Sequence, residues 1–371
     1  MRVLICGGGT GGHIYPALAV VASLQRMGLS TTDILWVGTR GEIEEKLVPR
    51  ANLRLETIEA GAIAGVSWRL RAVNAAKLLA SLPKAKGILD GFQPDVLLMT
   101  GGYVNGPVAI VAWLSRVPSA IYLPDIEPGK AIKSLSRLVQ RIACTAPASQ
   151  KFFPTGKTEV TGYPIRPELR AATKLDKLEA LAKFNFRADR PTLFVFGGSR
   201  GARSINQALI ASLPQLLKKI QIIHISGTLD WLDIEANSNM LAPELRTYYR
   251  VFPYLHEEMG AAFKAADLVL ARAGASMLGE CPAFGLPAIL VPYPYAWRYQ
   301  KVNADFMVDR GAAERLDDDK LPAELSPMVI SLIQDKTRLA EMSANAKDLD
   351  VPNAGDNLAK LLIGLAKRAI R

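Results

Sequence analysis

His13 closes a glycine-dense run, Cys6-Gly7-Gly8-Gly9-Thr10-Gly11-Gly12-His13, in which almost no side chain competes with it for space. Imidazole titrates near neutral pH, so a histidine held in such a loop suits proton transfer as a general base. The glycines let a ligand approach the backbone, and a helix starting behind them favours negative charge. Gly7, Gly9 and Gly12 also fit the spacing of a dinucleotide-binding loop, which has no use for His13. The loop therefore reads two ways, as a cofactor cradle or as a place where chemistry is done. His224, inside a strand pattern, and His256, in a turn-like stretch, read as structural.

The elements that must hold this loop are legible on either side of it. Arg2-Val3-Leu4-Ile5 is a short apolar strand, and Ile14 to Ala22 reads as a helix with Pro16 in its first turn. Further apolar runs follow at Ile34–Gly38, Asp95–Met99, Ser119–Leu123 and Arg141–Thr145, separated by helical patterns. Runs of this length between helices indicate a parallel, doubly wound sheet, whose ligands gather at the carboxyl ends of the strands. Around Val160–Pro167 the Gly and Pro density rises, and a charged stretch over 168–189 reads as helical. Thr192–Phe196 then opens a second strand–glycine–helix unit through Gly197-Gly198-Ser199-Arg200-Gly201-Ala202-Arg203. The α/β chain thus divides into two similarly built domains, expected to face one another across a cleft. The boundaries fall at 1–163 and 164–351, and the basic amphipathic helix 352–371 is expected to pack back on the first domain.

Length, composition and charge narrow the class. The chain has 371 residues, enough for a core in each domain. Three widely spaced cysteines, Cys6, Cys144 and Cys281, argue against a disulfide framework or a zinc site. No signal-peptide pattern precedes the first strand, and no apolar run reaches the roughly 18 residues of a membrane span. The net charge of +10 suits an acidic surface (anionic lipid, nucleic acid or a phosphorylated substrate) or else serves solubility alone. Between Gly65 and Leu89 no acidic residue occurs, while Arg69, Arg71, Lys77, Lys84 and Lys86 alternate with Trp68, Leu70, Val73, Leu78, Leu79 and Leu82. This basic-apolar stretch, 65–89, suits an anionic membrane surface, or else a surface helix with one side packed on the sheet. Lys130, Lys133, Arg137 and Arg141 recur at helical spacing and could face a pyrophosphate, lipid head groups or solvent.

Taken together, the motifs resemble the MurG family of GT-B glycosyltransferases over nearly the whole chain. They run in the family's order: Gly7–His13, Gly101-Gly102-Tyr103-Val104-Asn105-Gly106-Pro107, Gly162-Tyr163-Pro164-Ile165-Arg166, Gly197–Arg203, Arg272–Glu280, and Gln300 with Asn303. The resemblance implies a GT-B fold of two Rossmann-like domains. It implies inverting transfer of N-acetylglucosamine from UDP-GlcNAc to lipid I, a polyprenyl-pyrophosphate-linked acceptor, giving lipid II for peptidoglycan. It also implies a peripheral protein on the cytoplasmic face of the cell membrane.

Residue by residue, the resemblance assigns the donor to the second domain. Arg166 and Ser199 would contact the nucleotide-sugar, Leu255 would read the uracil edge through its backbone, and Glu280 would accept from the ribose hydroxyls. Gln300 would hold the sugar hydroxyls, with Asn303 supporting its loop. A helix beginning near Gly274 and Ser276 would set its N-terminus against the diphosphate, so that oriented N–H groups stabilise the leaving group without a metal or other cofactor. In the first domain Thr10, Gly11, Gly12 and Tyr103 would lie against the acceptor, with His13 as base. Where the family carries His-Glu-Gln-Asn, this chain has Tyr122-Leu123-Pro124-Asp125, leaving Asp125 to orient His13 or to act as base itself. The loop after Ala288–Val291 also differs from the family, with Pro294, Tyr295, Trp297 and Tyr299 in place of polar residues. The competing readings are a GT-B enzyme with another glycolipid acceptor, a nucleotide-sugar epimerase, a non-catalytic membrane-binding module, and an NAD(P)-dependent oxidoreductase. The last needs an acid after the second strand, where Asp33 precedes the strand and Arg40 follows it. No nucleic-acid partner is expected.

Overall fold

The structure, a computed structural model, describes residues 1–61, 67–198, 201–295 and 299–369. They form two compact units: Met1–Arg166 with Asn353–Arg371, and Pro167–Pro352.

The first unit is built on a seven-stranded sheet of β1 (Val3–Gly7), β2 (Ile34–Thr39), β3 (Arg54–Ile58), β4 (Val96–Gly101), β5 (Ser119–Leu123), β6 (Arg141–Cys144) and β7 (Thr158–Val160), in the order β3-β2-β1-β4-β5-β6-β7. Every neighbouring pair is parallel. β1, β2, β4 and β5 are buried along their whole length, which is why their sequences are continuous apolar runs rather than alternating ones. Helices α1 (Gly11–Arg26), α2 (Glu44–Arg50), α3 (Trp68–Phe92) and α4 (Asn105–Leu114) connect the early strands. One face of the sheet packs Leu4, Cys6, Val37, Leu97 and Met99 with Leu89 of α3 and Val108 and Ala112 of α4. The second unit repeats the plan in six strands: β8 (Thr192–Phe196), β9 (Gln221–Ile225), β10 (Tyr249–Phe252), β11 (Leu268–Arg272), β12 (Ala288–Val291) and β13 (Ala313–Arg315), ordered β10-β9-β8-β11-β12-β13 and all parallel.

In both sheets the strand order reverses beside the first strand of the unit. The crevices of a doubly wound sheet open at such a reversal, outside the strand carboxyl ends. In the first unit that places the loops after β1 and β4 side by side. In the second it does the same for the loops after β8 and β11.

The C-terminal helix Ala354–Ala369 packs on α1. Leu358, Leu361, Leu362, Leu365 and Ala366 are buried at the three- and four-residue spacing of one helix face. Each fully buried leucine there contributes about 1.5–3 kcal/mol. Asp356 pairs with Arg26 at 2.6 Å, and Asn357 donates to Thr161 O at 3.3 Å. Gly355 lies so close to α1 that a Cβ would come within 2.7 Å of Ser23 Oγ.

Local structure departs from the sequence pattern in four places. α1 begins on Gly11 rather than near Ile14, so Pro16 falls in its second turn and cannot donate to the Gly12 carbonyl. The basic series from Lys130 is not one helix. That helix, Lys130–Leu135, ends where Ser136 Oγ bonds back to Lys133 O, and Arg141 already belongs to β6. The stretch 168–189 forms two short helices, Pro167–Ala172 and Lys177–Ala182, because Asp176 caps the second by accepting from Leu178 N and Glu179 N. The helix expected near Gly274 starts at Met277, with Ser276 at its N-cap position.

Candidate functional site

The loop after β1 is wired at almost every backbone group. Trp36 Nε1 donates to Gly7 O at 2.8 Å, and Gly8 N donates to Gly101 O at 3.2 Å. Gly9 N donates to Glu44 Oε2 at 2.9 Å, and His13 N to Thr10 O at 3.1 Å. Buried backbone groups need such partners, and their identities fix the loop's path.

His13 is half-buried, and its Nδ1 lies 3.0 Å from Gly8 O and 3.3 Å from Thr10 Oγ1. A carbonyl oxygen can only accept, so this contact assigns the hydrogen to Nδ1 and leaves the lone pair on Nε2. That is the tautomer a general base needs. The ring rests on the loop after β4. A Cβ on Gly101 would come 2.3 Å from His13 Cδ2 and 2.5 Å from Nε2. Gly102, also at positive φ, approaches the Gly8 backbone so closely that a Cβ would meet Gly8 O at 2.8 Å.

The glycines before His13 therefore do different jobs. Beside Gly7 lies the buried Thr100 hydroxyl, 2.2 Å from where a Cβ would stand. Gly8 leaves its space to the Glu44 carboxylate, 1.8 Å from the same construction. Gly9 alone among these three has open space around it, with φ at +81°. The reading of the whole run as room for a ligand narrows to Gly9 and the first residues of α1. Asn105, 3% exposed, adds a further tie: its amide donates to Cys6 O at 3.0 Å and accepts from Gly101 N at 2.9 Å in the orientation that satisfies both.

The remaining first-unit candidates lie at neighbouring strand ends. Thr10 is exposed at the N-cap position of α1, its side chain making no cap hydrogen bond, and Gly11 and Gly12 open that helix. Tyr103 is 55% exposed on the loop after β4. Asp125 follows β5, and its charge adds to the burial that pushes the Tyr122 hydroxyl well up from its ordinary value. Tyr122 itself is fully buried and bonded to Thr145 Oγ1 at 2.8 Å and Gly162 O at 3.3 Å, so the residue that replaces a polar motif here is an anchor. Arg166, the last residue before the second unit, stacks its guanidinium on the Tyr15 ring of α1, 4.6 Å from the centroid.

In the second unit, the loop after β8 needs glycine at Gly201, where φ is +84° and a Cβ would strike Ser226 O at 2.2 Å. Ser199 lies outside the described residues. After β11, Gly274 faces open space, and the N–H groups of Met277, Leu278, Gly279 and Glu280 turn back onto the carbonyls of Gly274, Ala275 and Ser276. What that end of the helix offers an anion is its dipole rather than those four bonds. Glu280 is 9% exposed in the first turn of the helix Met277–Phe284. Leu255 follows β10 with its side chain buried. Gln300 Oε1 accepts from Tyr293 N at 2.8 Å, and Asn303 Nδ2 donates to Ala273 O at 3.2 Å, so both tie the helix Tyr299–Val308 to the strand-end loops.

Two residues carry contacts that the sequence does not show. Arg272, the last residue of β11, pairs with Asp318 and donates to Ser204 Oγ at 2.7 Å, joining the strand end to the start of the helix Arg203–Leu216 and to the turn after β13. Glu44 is the other, a buried carboxylate five residues beyond the end of β2, where an acid was sought only at Asp33 and at the strand end. His224 is structural. Its nitrogens meet Tyr249 Oη at 2.7 Å and Asn206 Oδ1 at 3.0 Å, and burial lowers its pKa to about 3, keeping it neutral. The three cysteines are buried and free, and burial holds Cys144 up at about 12, so these thiols stay unreactive. Among the described residues no cluster of three or more metal-ligating side chains occurs.

Two Rossmann-like units with glycine loops at both switch points have the GT-B architecture, and the class is shown to be a glycosyltransferase because residues 3–144 and 192–358 match the N-terminal and C-terminal domains of glycosyltransferase family 28. The UDP-N-acetylglucosamine--N-acetylmuramyl-(pentapeptide) pyrophosphoryl-undecaprenol N-acetylglucosamine transferase of Roseiflexus sp. (strain RS-1) is 37% identical, with 99% of this chain and 96% of the relative aligned. The enzyme of the same name from Thermodesulfovibrio yellowstonii is 35% identical over 99% of this chain and its own full length. Among solved structures, Acinetobacter baumannii MurG superposes with a TM-score of 0.77 at 27% identity, covering 98% of this chain and 99% of that one. The chain belongs to this family of N-acetylglucosamine transferases. A UDP-GlcNAc 2-epimerase from Neisseria meningitidis shares the fold, with a TM-score of 0.67 at 14% identity over 99% of this chain and 100% of its own. Family membership displaces the oxidoreductase reading, and the wiring of the loop gives the physical reason. The N–H of Gly9, the second glycine of the fingerprint, is spent on Glu44 rather than offered to a pyrophosphate.

Proposed function

We propose that this chain transfers N-acetylglucosamine from UDP-GlcNAc to the MurNAc hydroxyl of lipid I, with inversion and without a metal. The observation that carries the reading is the His13 tautomer. Nδ1 is committed to Gly8 O, so Nε2 is the atom that takes the acceptor's proton. The first unit binds the acceptor, through Thr10, Gly11, Gly12 and Tyr103, with Asp125 as an assisting carboxylate. The second unit binds the donor through Ser199, Leu255, Gly274, Ser276, Glu280, Gln300 and Asn303, and Arg166 is assigned to the nucleotide-sugar as well. The test is incubation with labelled UDP-GlcNAc and lipid I in the presence of a chelator. A lipid-linked disaccharide is expected. Hydrolysis of the donor with no transfer would point instead to a different glycolipid acceptor, the reading that the Tyr122–Asp125 departure favours.

In this account Glu280 holds the ribose, accepting from its hydroxyls. Glu280→Ala should weaken UDP binding by about 10–100-fold, the worth of a charge-assisted pair of hydrogen bonds. Calorimetric titration with UDP checks this, and unchanged affinity would remove Glu280 from the donor site.

We also place the protein peripherally on the cytoplasmic face of the membrane. No helix among the described residues is long and apolar enough to cross a membrane. On α3, Val73 and Leu79 are 51% and 64% exposed beside exposed Lys77, Lys84 and Lys86, and α4, packed on α3, exposes Trp113 and Leu114. Exposed apolar side chains on a helix that also exposes lysines suit the interface of an anionic bilayer, each unpaired lysine contributing about 1 kcal/mol near the surface, while Lys86 is paired with Asp90. Leu79→Glu should abolish co-sedimentation with vesicles containing phosphatidylglycerol. Retention would exclude this face.

A further inference from the structure

Glu44 is fully buried at the start of α2, and both of its oxygens accept backbone N–H bonds: Oε1 from Thr39 at 2.7 Å and Oε2 from Gly9 at 2.9 Å. The fold makes room for it on two sides. A Cβ on Gly8 would come 1.8 Å from Oε1, and a Cβ on Gly38 would come 2.5 Å from Cγ. Burying a carboxylate is costly unless its hydrogen bonds are satisfied, and here both oxygens are; an apolar side chain in its place would leave the Gly9 and Thr39 N–H groups unpaired.

What Glu44 holds is the Gly8–Gly9 peptide group. The N–H that bonds Glu44 and the C=O that bonds His13 Nδ1 belong to that one planar unit. No peptide bond among the described residues is cis, so the two groups point to opposite sides. Carboxylate, peptide and imidazole therefore form one line of hydrogen bonds. Each bond in such a line polarises the next.

We propose that Glu44 is a positioning residue for the transfer reaction, acting on His13 through the Gly8–Gly9 peptide and taking the part of the third member of a nucleophile–base–orienter set. It rests on the reading of His13 as the base. The carboxylate fixes the tilt of the peptide plane. The Gly8 carbonyl then fixes the imidazole ring and its proton at Nδ1. Catalytic geometry tolerates little displacement, and a shift of about 1 Å in a reacting group can cost a hundredfold in rate. The neutral amide of glutamine offers one acceptor oxygen for the Gly9 and Thr39 N–H donors, so Glu44→Gln either drops the peptide or loses the Thr39 bond that anchors the carboxylate, and the hold on the peptide weakens in both cases.

The test is a double-mutant cycle on the full-length protein combined with 15N spectroscopy of its histidines. Glu44→Gln should lower kcat by about 10–100-fold with the KM for UDP-GlcNAc unchanged. In a His13→Ala background the same change should alter kcat less than about threefold, because the two residues act as one unit. The His13 Nδ1 resonance should leave its protonated position in Glu44→Gln. Should Glu44→Gln fail to fold, Gly38→Ala keeps the carboxylate but crowds its Cγ, and the same direction is expected in each readout. An equal fall in kcat in both backgrounds, or a wild-type kcat in Glu44→Gln, would overturn the proposal. If His13→Ala alone leaves turnover intact, the base reading fails. The 15N resonance then decides the relay by itself: a shift supports it, and an unmoved resonance rejects it.

Discussion

His13→Ala is expected to lower kcat by about 10²–10⁴-fold, the usual worth of a positioned general base, while UDP affinity stays within about twofold of wild type. The two halves of this expectation have separate physical origins. The lost rate follows from removing Nε2, the one ring atom left with a lone pair once Nδ1 is bonded to Gly8 O. The retained affinity follows from the proposed donor residues other than Arg166 lying on the second unit, built on its own sheet and core. A burst or steady-state assay with saturating lipid I, paired with UDP titration, reads both. Turnover within about threefold of wild type would remove His13 from the chemistry.

Gly101→Ala should produce a loss of similar kind, about a hundredfold in kcat, without touching the histidine itself. Gly101 adopts φ of +129°, which an L side chain rarely accepts, and straining a residue there costs about 1–3 kcal/mol. The added methyl group would also stand 2.3 to 2.7 Å from Cδ2, Nε2 and Cγ of the imidazole, so the ring must move away from its place over the β4 loop. Both effects act on the first unit, and UDP affinity should again hold. Gly156→Ala is the control for strain alone, since φ there is also positive, open space surrounds the position, and it belongs to the turn before β7 rather than to the loops around His13. If the two variants lose activity equally, backbone strain rather than displacement of His13 is responsible.

Most of the architecture was legible because buried parallel strands write themselves as uninterrupted apolar runs, as in Val3–Cys6 and Leu193–Val195. The pairing of glycine loops with switch points followed from the same strands. The interior of the loop was not legible. Glycine in a sequence marks a missing side chain without saying what fills its place, and only the fold shows Thr100 at Gly7, Glu44 at Gly8 and the His13 ring at Gly101. Glu44 escaped notice because a glutamate at a helix start reads as a solvated helix-terminal charge, whereas this one turns inward to two amides. Helix ends were misjudged where side chains bond back to the main chain, as Ser136 does to Lys133 and Asp176 does to Leu178. Such bonds compete locally with the helix and leave no trace in hydrophobic periodicity.

The configuration of the newly made glycosidic bond bears most directly on the central claim that the acceptor hydroxyl displaces UDP in one in-line step. A single displacement at the anomeric carbon of α-linked UDP-GlcNAc must leave a β-linked sugar. The anomeric proton coupling of the purified disaccharide product reads this at once. A large, trans-diaxial coupling is the predicted result. A small coupling, showing the α linkage retained, would contradict the account.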